Sequence, residues 1–558
     1  MTTYHFTIET TDYLNYGSDS VAVFYDEQSN NFIIKNNNKN ININHDNPGN
    51  CRLHFSCESN PKPEPAVLKN ALQVLHRNCN KLKTIDKFVN SRQDGVPLFI
   101  YPYSIDDSND LDITKKILSV SVDSDNYYIK TDGLMGYISA TFKNNESDPD
   151  DYHFNIYIHS RFDYHFPNFT DSEDSSKPDF NRDFFLHYML QRIMNINLFD
   201  SDPDTQRDQN ELGLLLYFFP GLLRLAMNQG LFKQYVHREY NDSRVRGPID
   251  VSRHISCNIP FKGNVSYSTT EYDYDNPVTQ LVRHTIEVIR HHEWAVELLK
   301  QTDKTRQDVQ IIVANTERYH ANERRRIIEQ NCRLINHPFY TEWRPLQHLC
   351  LSILKHDDIR YVSEKDNDRI HGLLFDGPWL WESYLWWLFK NWTETQDFIH
   401  PNNKTRENAI RLFQNSSDID VEAQLGKQSR TKKYPDFYKP FKNPEVLKTN
   451  SQAALEIWDA KFKQYDNNPI NRDDVHQLIT YLYIQSTPAH LCPAAGVIYP
   501  SKSQSDCIKF GNKLMGLGGQ LYQWGLQIPS GKSSYSEFKE GMTASENTFK
   551  NKYISLLK

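Results

Sequence analysis

The 558-residue chain reads as a multidomain α+β protein, with a β-rich N-terminal domain, a mainly helical middle region and a C-terminal α/β domain. At this length a single hydrophobic core is not the expectation. The first third alternates apolar and polar residues with a period of two, and the centre switches to helical spacing. Toward the C-terminus, strands and helices alternate again. The expected domains are residues 1–175, 176–370 and 371–558.

In the first region the segments YHFTIET, SVAVFYD, NFIIKN, ILSVSVD, GYISATF and FNIYIHS are separated by Asn, Asp, Ser and Gly clusters, the pattern of strands and turns. The stretch NNNKNININHDNPGN has too few apolar side chains to anchor it and reads as a surface loop. Cys51, His54, Cys57, His76 and Cys79 fall close together but lack the paired cysteine spacing of a structural zinc site. DSEDSSKPDFNRD marks a boundary. Beyond it FFLHYMLQRIM, ELGLLLYFF, PVTQLVRHTIEVIRHHEWAVELLKQ and ERRRIIEQNCRLI predict helices, with RGPIDVSRHI as an extended insert. Arg324 to Arg326 read as a charged helix face. The most apolar run, Leu212 to Met227, is interrupted by Pro220, Gly221 and Arg224, which predicts two buried helical pieces and not a membrane span.

The C-terminal domain opens on DGPWLWESYLWWLFKNW, where Asp376 and Pro378 write a helix start. SSDIDVEAQ, KKYPDFYK and AALEIWDAKFK read as three neighbouring strands, NRDDVHQLITYLYIQ as a helix and AAGVIYPS as a further strand.

The chain carries 63 Lys and Arg against 71 Asp and Glu, a formal net charge of −8. Non-specific DNA binding rests on basic residues neutralising phosphates, so any DNA contact is expected to be local or lent by a partner. MTTYHFTIETTDY has neither a basic start nor an apolar stretch, which predicts no secretory signal, a cytoplasmic location and no membrane association. No GxxxxGK[ST] pattern occurs, so an NTP-driven motor would be another polypeptide.

One constellation carries chemistry. In a strand, side chains two apart share a face, so Asp459 and Lys461 of WDAKF stand side by side while Ala460 points away. If the preceding strand brings Asp436 alongside, two carboxylates and the Ala460 carbonyl offer the hard oxygen ligands that Mg²⁺ prefers, with Mn²⁺ able to substitute. Such an ion polarises a scissile phosphate and helps deprotonate water. Lys461 would hold that water or the phosphate, the water first. Gln477 and Tyr481 are four apart on the following helix and share a face toward the site. Glu382 lies in an almost wholly apolar helix, where a carboxylate needs a cation, which makes it a further metal ligand or a surface group on the exposed side. Tyr481 alternatively serves core packing. Lys427, Arg430, Lys432 and Lys433 form the basic patch adjoining the site, either a clamp on a DNA backbone or a solvated hairpin tip.

YPDFYK, EIWDAKFK and VHQLITYLY resemble the PD-(D/E)xK nuclease superfamily, in the branch with a QxxxY motif. GYISATF, FNIYIHSRF, FLHYML, GLFKQYVHREYNDSRVRGPIDVSRHI and LLFDGPWLWESYLWWLF together look like the McrC family, endonuclease subunits of McrBC-type modification-dependent restriction systems, from roughly residue 115 onward. The resemblance implies a Mg²⁺-dependent DNA endonuclease in which Asp436 and Asp459 are metal ligands, Lys461 is the catalytic lysine, and Gln477 and Tyr481 are the supporting pair. It also implies a McrB-like AAA+ GTPase ring as partner, stimulated by the N-terminal region, and modified double-stranded DNA as substrate. Pairing of complexes is expected for double-strand cutting. Arg244, Arg246 and Asp250 fall in a stretch typical of that family. Two other readings stand beside it: a non-catalytic scaffold that activates the motor, and a stand-alone nuclease.

Overall fold

A computed structural model describes residues 3–12, 21–26, 31–36, 51–56, 65–78, 99–101, 118–123, 126–131, 133–143, 151–162, 183–194, 210–300, 302–359, 370–401, 408, 410–411, 432–442, 453–463, 465–466, 470–486, 492–510, 513–515, 519–532 and 534–556. The N-terminal region is built from β1 (Thr3–Thr11), β2 (Val21–Asp26), β3 (Asn31–Asn36), β4 (Cys51–Ser56), β5 (Phe99–Tyr101), β6 (Leu118–Asp123), β7 (Asn126–Thr131), β8 (Leu134–Lys143) and β9 (Asp151–His159), with helix α1 (Pro65–Asn78) between β4 and β5. Each of the six alternating segments lies on one of these strands. β3-β2-β7-β6 form an antiparallel sheet. The Asn-rich stretch from residue 37 onward lies outside the described residues.

The middle region contains α2 (Phe184–Met194), α3 (Asn210–Asn228), β10 (Gln234–Asp242), α4 (Val251–Asn258), β11 (Val265–Asp273), α5 (Pro277–His291), α6 (Asp303–Ala314), α7 (Arg324–Gln330) and α8 (Trp343–Ile359). Two expectations change here. The apolar run forms one helix, α3, with Pro220 inside it. Leu215, Leu216, Phe218, Phe219, Leu222 and Leu223 are buried on both sides of the proline, and that burial outweighs the lost backbone hydrogen bond. The expected extended insert holds α4, because the Asp250 carboxylate accepts from the Arg253 N–H and caps a short helix. β10 and β11 pair antiparallel as a long hairpin around it.

β12 (Ile370–Asp376) then returns to the N-terminal sheet, antiparallel to β8 and parallel to β5, completing the order β4-β1-β9-β8-β12-β5. The boundary expected before residue 371 therefore falls inside a strand of that sheet. The chain passes from β12 straight into α9 (Gly377–Lys390), whose N-cap is Asp376, accepting from the Trp379 N–H.

The C-terminal domain follows with β13 (Ile410–Arg411), β14 (Lys432–Lys433), β15 (Phe437–Pro440), β16 (Ala454–Ala460), α10 (Arg472–Gln485), β17 (Ala494–Ser501), β18 (Asp506–Phe510), β19 (Gln520–Gln527) and α11 (Tyr535–Leu556). The sheet order is β15-β16-β17-β19-β18, with β16, β17 and β19 parallel and the two edge strands antiparallel. Parallel neighbours need a crossover, and α10 supplies the one between β16 and β17. KKYPDFYK divides between β14 and β15, and SSDIDVEAQ lies outside the described residues.

Side chains alternate along β16, so Ile457 joins the cluster with Leu478 and Leu482 of α10, while Trp458 joins that of α9 and α11. On the second face Trp524 stacks on Phe549 at 3.8 Å between ring centroids and on Tyr553 at 5.1 Å. The sheet is thus held between helices on both sides. Among the described residues no helix is long and apolar enough to cross a membrane.

Candidate active site

The alternation that buries Ile457 under α10 puts Asp459 on the same face, where it is 1% exposed. Lys461 follows at the end of β16, its N–H held by the Ile498 carbonyl of β17 at 2.8 Å. The ammonium lies 2.5 Å from Asp459 Oδ2 and donates to Gln477 Oε1 at 3.0 Å. Gln477 Nε2 donates to Tyr481 Oη at 2.8 Å, and that hydroxyl donates to the Tyr434 carbonyl at 3.3 Å. Two residues on, Asp436 stands at the bend just before β15 and accepts from the Ala460 N–H at 2.6 Å. The polar chain closes on itself, from strand end through crossover helix to neighbouring strand and back.

Glu382 of α9 approaches from a third element. Its Oε1 lies 3.4 Å from His400 Nε2, and His400 Nδ1 is 2.7 Å from the Asp436 carbonyl. A carbonyl only accepts, so Nδ1 carries the proton. The imidazole packs against the rings of Trp386 and Phe437, at 5.2 and 5.3 Å, which stack on each other at 6.1 Å. Burial lowers its basicity.

The electrostatics follow from this crowding. Burial, then the charges of Asp459 and Glu382, raise the Asp436 carboxyl well above the carboxylate range. Glu382 is raised to about 7 by burial and by Asp459 and Asp376. Burial works against the charge of Lys461, but Asp459, Asp436 and Asp474 outweigh it and raise the ammonium above the ordinary lysine value. Lys461 is therefore a cation at neutral pH. Burial, then Asp459, also raise the Tyr481 hydroxyl, which stays a donor.

Among the described residues no group of three or more His, Cys, Asp or Glu side chains is gathered so as to hold a metal ion as it stands. Asp436 is turned onto the Ala460 N–H and Glu382 toward His400. The donor chemistry nonetheless suits a hard divalent ion: the Asp436 and Glu382 carboxyls, both raised by burial and by neighbouring carboxylates, share the site with a buried Asp459 whose Oδ2 meets the Lys461 ammonium.

Asp436, Asp459, Ala460, Lys461, Gln477, Tyr481 and Glu382 thus come together. Of the basic patch, Lys427 and Arg430 lie outside the described residues, and Lys432 and Lys433 form β14 beside Ile410 and Arg411. The sequence reading missed His400 and Asp474. Asp474 is 5% exposed, accepts from Lys463 at 2.8 Å and from Tyr465, and lies 3.7 Å from Lys461 Nζ. Burial opposes its charge, but Lys463 and Tyr465 hold its carboxyl below the usual range. Its sequence signal, an acidic pair in the first turn of α10, is that of ordinary helix-dipole compensation. Of the stretch around Arg244, Arg246 donates to Tyr267 Oη at 3.0 Å and lies over the Tyr240 ring, bracing the hairpin.

Fold and site together define a multidomain α+β protein whose C-terminal mixed sheet bears a carboxylate–lysine centre buttressed from its crossover helix. The chain belongs to the McrBC family, the model described as "McrBC 5-methylcytosine restriction system component" matching residues 130–500. Among solved structures it is similar to a half-complex from the tetradecameric assembly of Thermococcus gammatolerans McrB AAA+ hexamers with bound McrC, at 14% identity and a TM-score of 0.35, covering 86% of this chain and 93% of that one. It is also similar to the Thermococcus gammatolerans McrBC complex, at 15% identity and a TM-score of 0.23, covering 58% of this chain and 82% of that one. No curated protein matches it.

Proposed function

We propose that this chain is the McrC-type endonuclease subunit of a McrBC-like restriction system and hydrolyses phosphodiester bonds of modified double-stranded DNA. The observation that carries this reading is the closed polar chain through Ala460, Lys461, Gln477, Tyr481 and Asp436, because it places an obligate cation beside two carboxylates at a strand end. Asp436, Asp459, the Ala460 carbonyl and Glu382 would hold Mg²⁺, or Mn²⁺ in its place, and the ion when bound polarises the scissile phosphate and acidifies water.

The protein's own groups do the positioning. Gln477 and Asp459 occupy two directions of the Lys461 ammonium, leaving a proton to orient an attacking water or a phosphate oxygen. Tyr481 fixes the Gln477 amide so that its carbonyl faces the lysine. Asp474 keeps Lys463 and Tyr465 in place beside it. The basic residues Lys427, Arg430, Lys432 and Lys433 would hold the DNA backbone.

Family membership and the missing P-loop support an NTPase partner, a McrB-like AAA+ GTPase ring that this chain stimulates. Double-strand cutting would then require two complexes to pair. Reconstitution with the ring, GTP, Mg²⁺ and 5-methylcytosine DNA tests the site. Asp459→Asn is expected to lower cleavage by about 10²-fold or more. Cutting at the wild-type rate would remove the nuclease assignment.

A further inference from the structure

The chain segment that leaves Lys461 is gripped by the N-terminal sheet. β9 ends at His159, and the next residues are fixed by two buried carboxylates: Ser160 N–H donates to Asp183 Oδ2 at 2.6 Å and Arg161 N–H to Asp12 Oδ1 at 2.6 Å. Asp12 is itself tied to the end of β9, its N–H donating to the His159 carbonyl at 2.8 Å. From this anchored turn the Arg161 guanidinium donates to the backbone carbonyl of Phe462, the residue after Lys461. It also lies over the Phe462 ring at 5.2 Å and the Phe162 ring at 5.3 Å, and those rings meet edge to face at 5.4 Å.

A second tie meets at the same ring. A Cβ built on Gly377 would stand 2.9 Å from Phe462 Cε1 and 3.1 Å from the Gly133 carbonyl, which accepts from the Gly377 N–H at 2.8 Å. Gly377 is the first residue of α9, the helix that carries Glu382. Phe462 therefore touches both the turn that follows β9 and the start of α9, and is one peptide bond from the lysine.

We propose that Arg161 is a positioning residue that couples the N-terminal sheet to the carboxylate–lysine site through Phe462. Movement of the β1–β9 strand ends shifts the Phe462 carbonyl and with it the ammonium of Lys461. The proposal rests on the nuclease reading, and it assigns the N-terminal sheet a role in setting the cleavage rate. Arginine is required because its guanidinium stays 3.9 Å from the Asp12 carboxylate while it donates to a carbonyl and covers two rings, which a lysine ammonium cannot do at once. Displacements of about 1 Å at a reacting group cost on the order of 10²-fold in rate.

The test uses the full chain reconstituted with its ring and methylated DNA, comparing wild type, Arg161→Lys and Asp459→Asn. The expected result for Arg161→Lys is a fall in kcat of about tenfold or more, with KM for DNA and stimulation of the ring's GTP hydrolysis unchanged. Hydrogen exchange is expected to show faster amides at residues 458–463 while β1 and β9 keep their protection. A merely structural role would loosen the N-terminal sheet as well. Wild-type kcat in Arg161→Lys, with Asp459→Asn inert, overturns the coupling alone; wild-type cutting by Asp459→Asn overturns both readings. Should Arg161→Lys fail to fold, Arg161→Met removes the donor to the Phe462 carbonyl while keeping an unbranched side chain against the two rings, and an unchanged kcat there overturns the coupling equally.

Discussion

Three carboxylates share one another's field around a single lysine ammonium, and that crowding has a measurable cost in the metal-free protein. A carboxyl that holds its proton more tightly folded than unfolded stabilises the fold at low pH. That contribution is lost as pH rises from the ordinary glutamate value through about 7, the value to which Glu382 is raised. Glu382→Gln removes the unfavourable charge. Its side chain is 31% exposed, so the gain is discounted to about 1–2 kcal/mol. Thermal denaturation without divalent ions is expected to show the variant more stable at pH 8 and equal to wild type at pH 4; a lower midpoint at pH 8 would contradict the electrostatics. At this scale the sequence made adjacency legible wherever a period enforced it: Asp459 with Lys461 two apart on a strand, Gln477 with Tyr481 four apart on a helix. His400 gave no such signal. It stands in a loop after α9, and packing against Trp386 and Phe437 together with the Asp436 carbonyl carries it to Glu382.

At the scale of elements, the sheet of β15 to β19 keeps its strand ends in register because both faces are packed. Burial of Phe549 on Trp524 and Trp392 joins α11 to the face opposite α10. Phe549→Ala leaves a cavity in a fully buried site and is expected to cost about 3–5 kcal/mol, read as a lowered urea midpoint. A loss under about 1 kcal/mol would mean that α11 is not integral to the domain. Most elements announced themselves by period and caps, as α9 did with Asp376 and Pro378. Those misread were decided by context. Burial of Leu222 and Leu223 carried α3 through Pro220, and one cap made a helix of the insert at α4.

At the scale of the molecule, β12 is the feature the sequence could not disclose. Its pairing with β8 and β5 joins residues far apart in the chain, which no local pattern encodes, and it makes the N-terminal sheet continuous with the helix bearing Glu382. The acidic balance of −8 argues that the chain does not gather DNA by itself. The isolated chain with Mg²⁺ is accordingly expected to cut methylated DNA far more slowly than the complex; equal rates would favour a stand-alone nuclease. In the proposed division of labour, the site at Lys461 cuts DNA while another part of the chain drives the ring. The most direct measurement follows DNA cleavage and GTP hydrolysis in the same reaction for wild type and Lys461→Ala. The variant is expected to lose cleavage and keep full stimulation of GTP hydrolysis; cleavage that persists at the wild-type rate would contradict a nuclease site at Lys461.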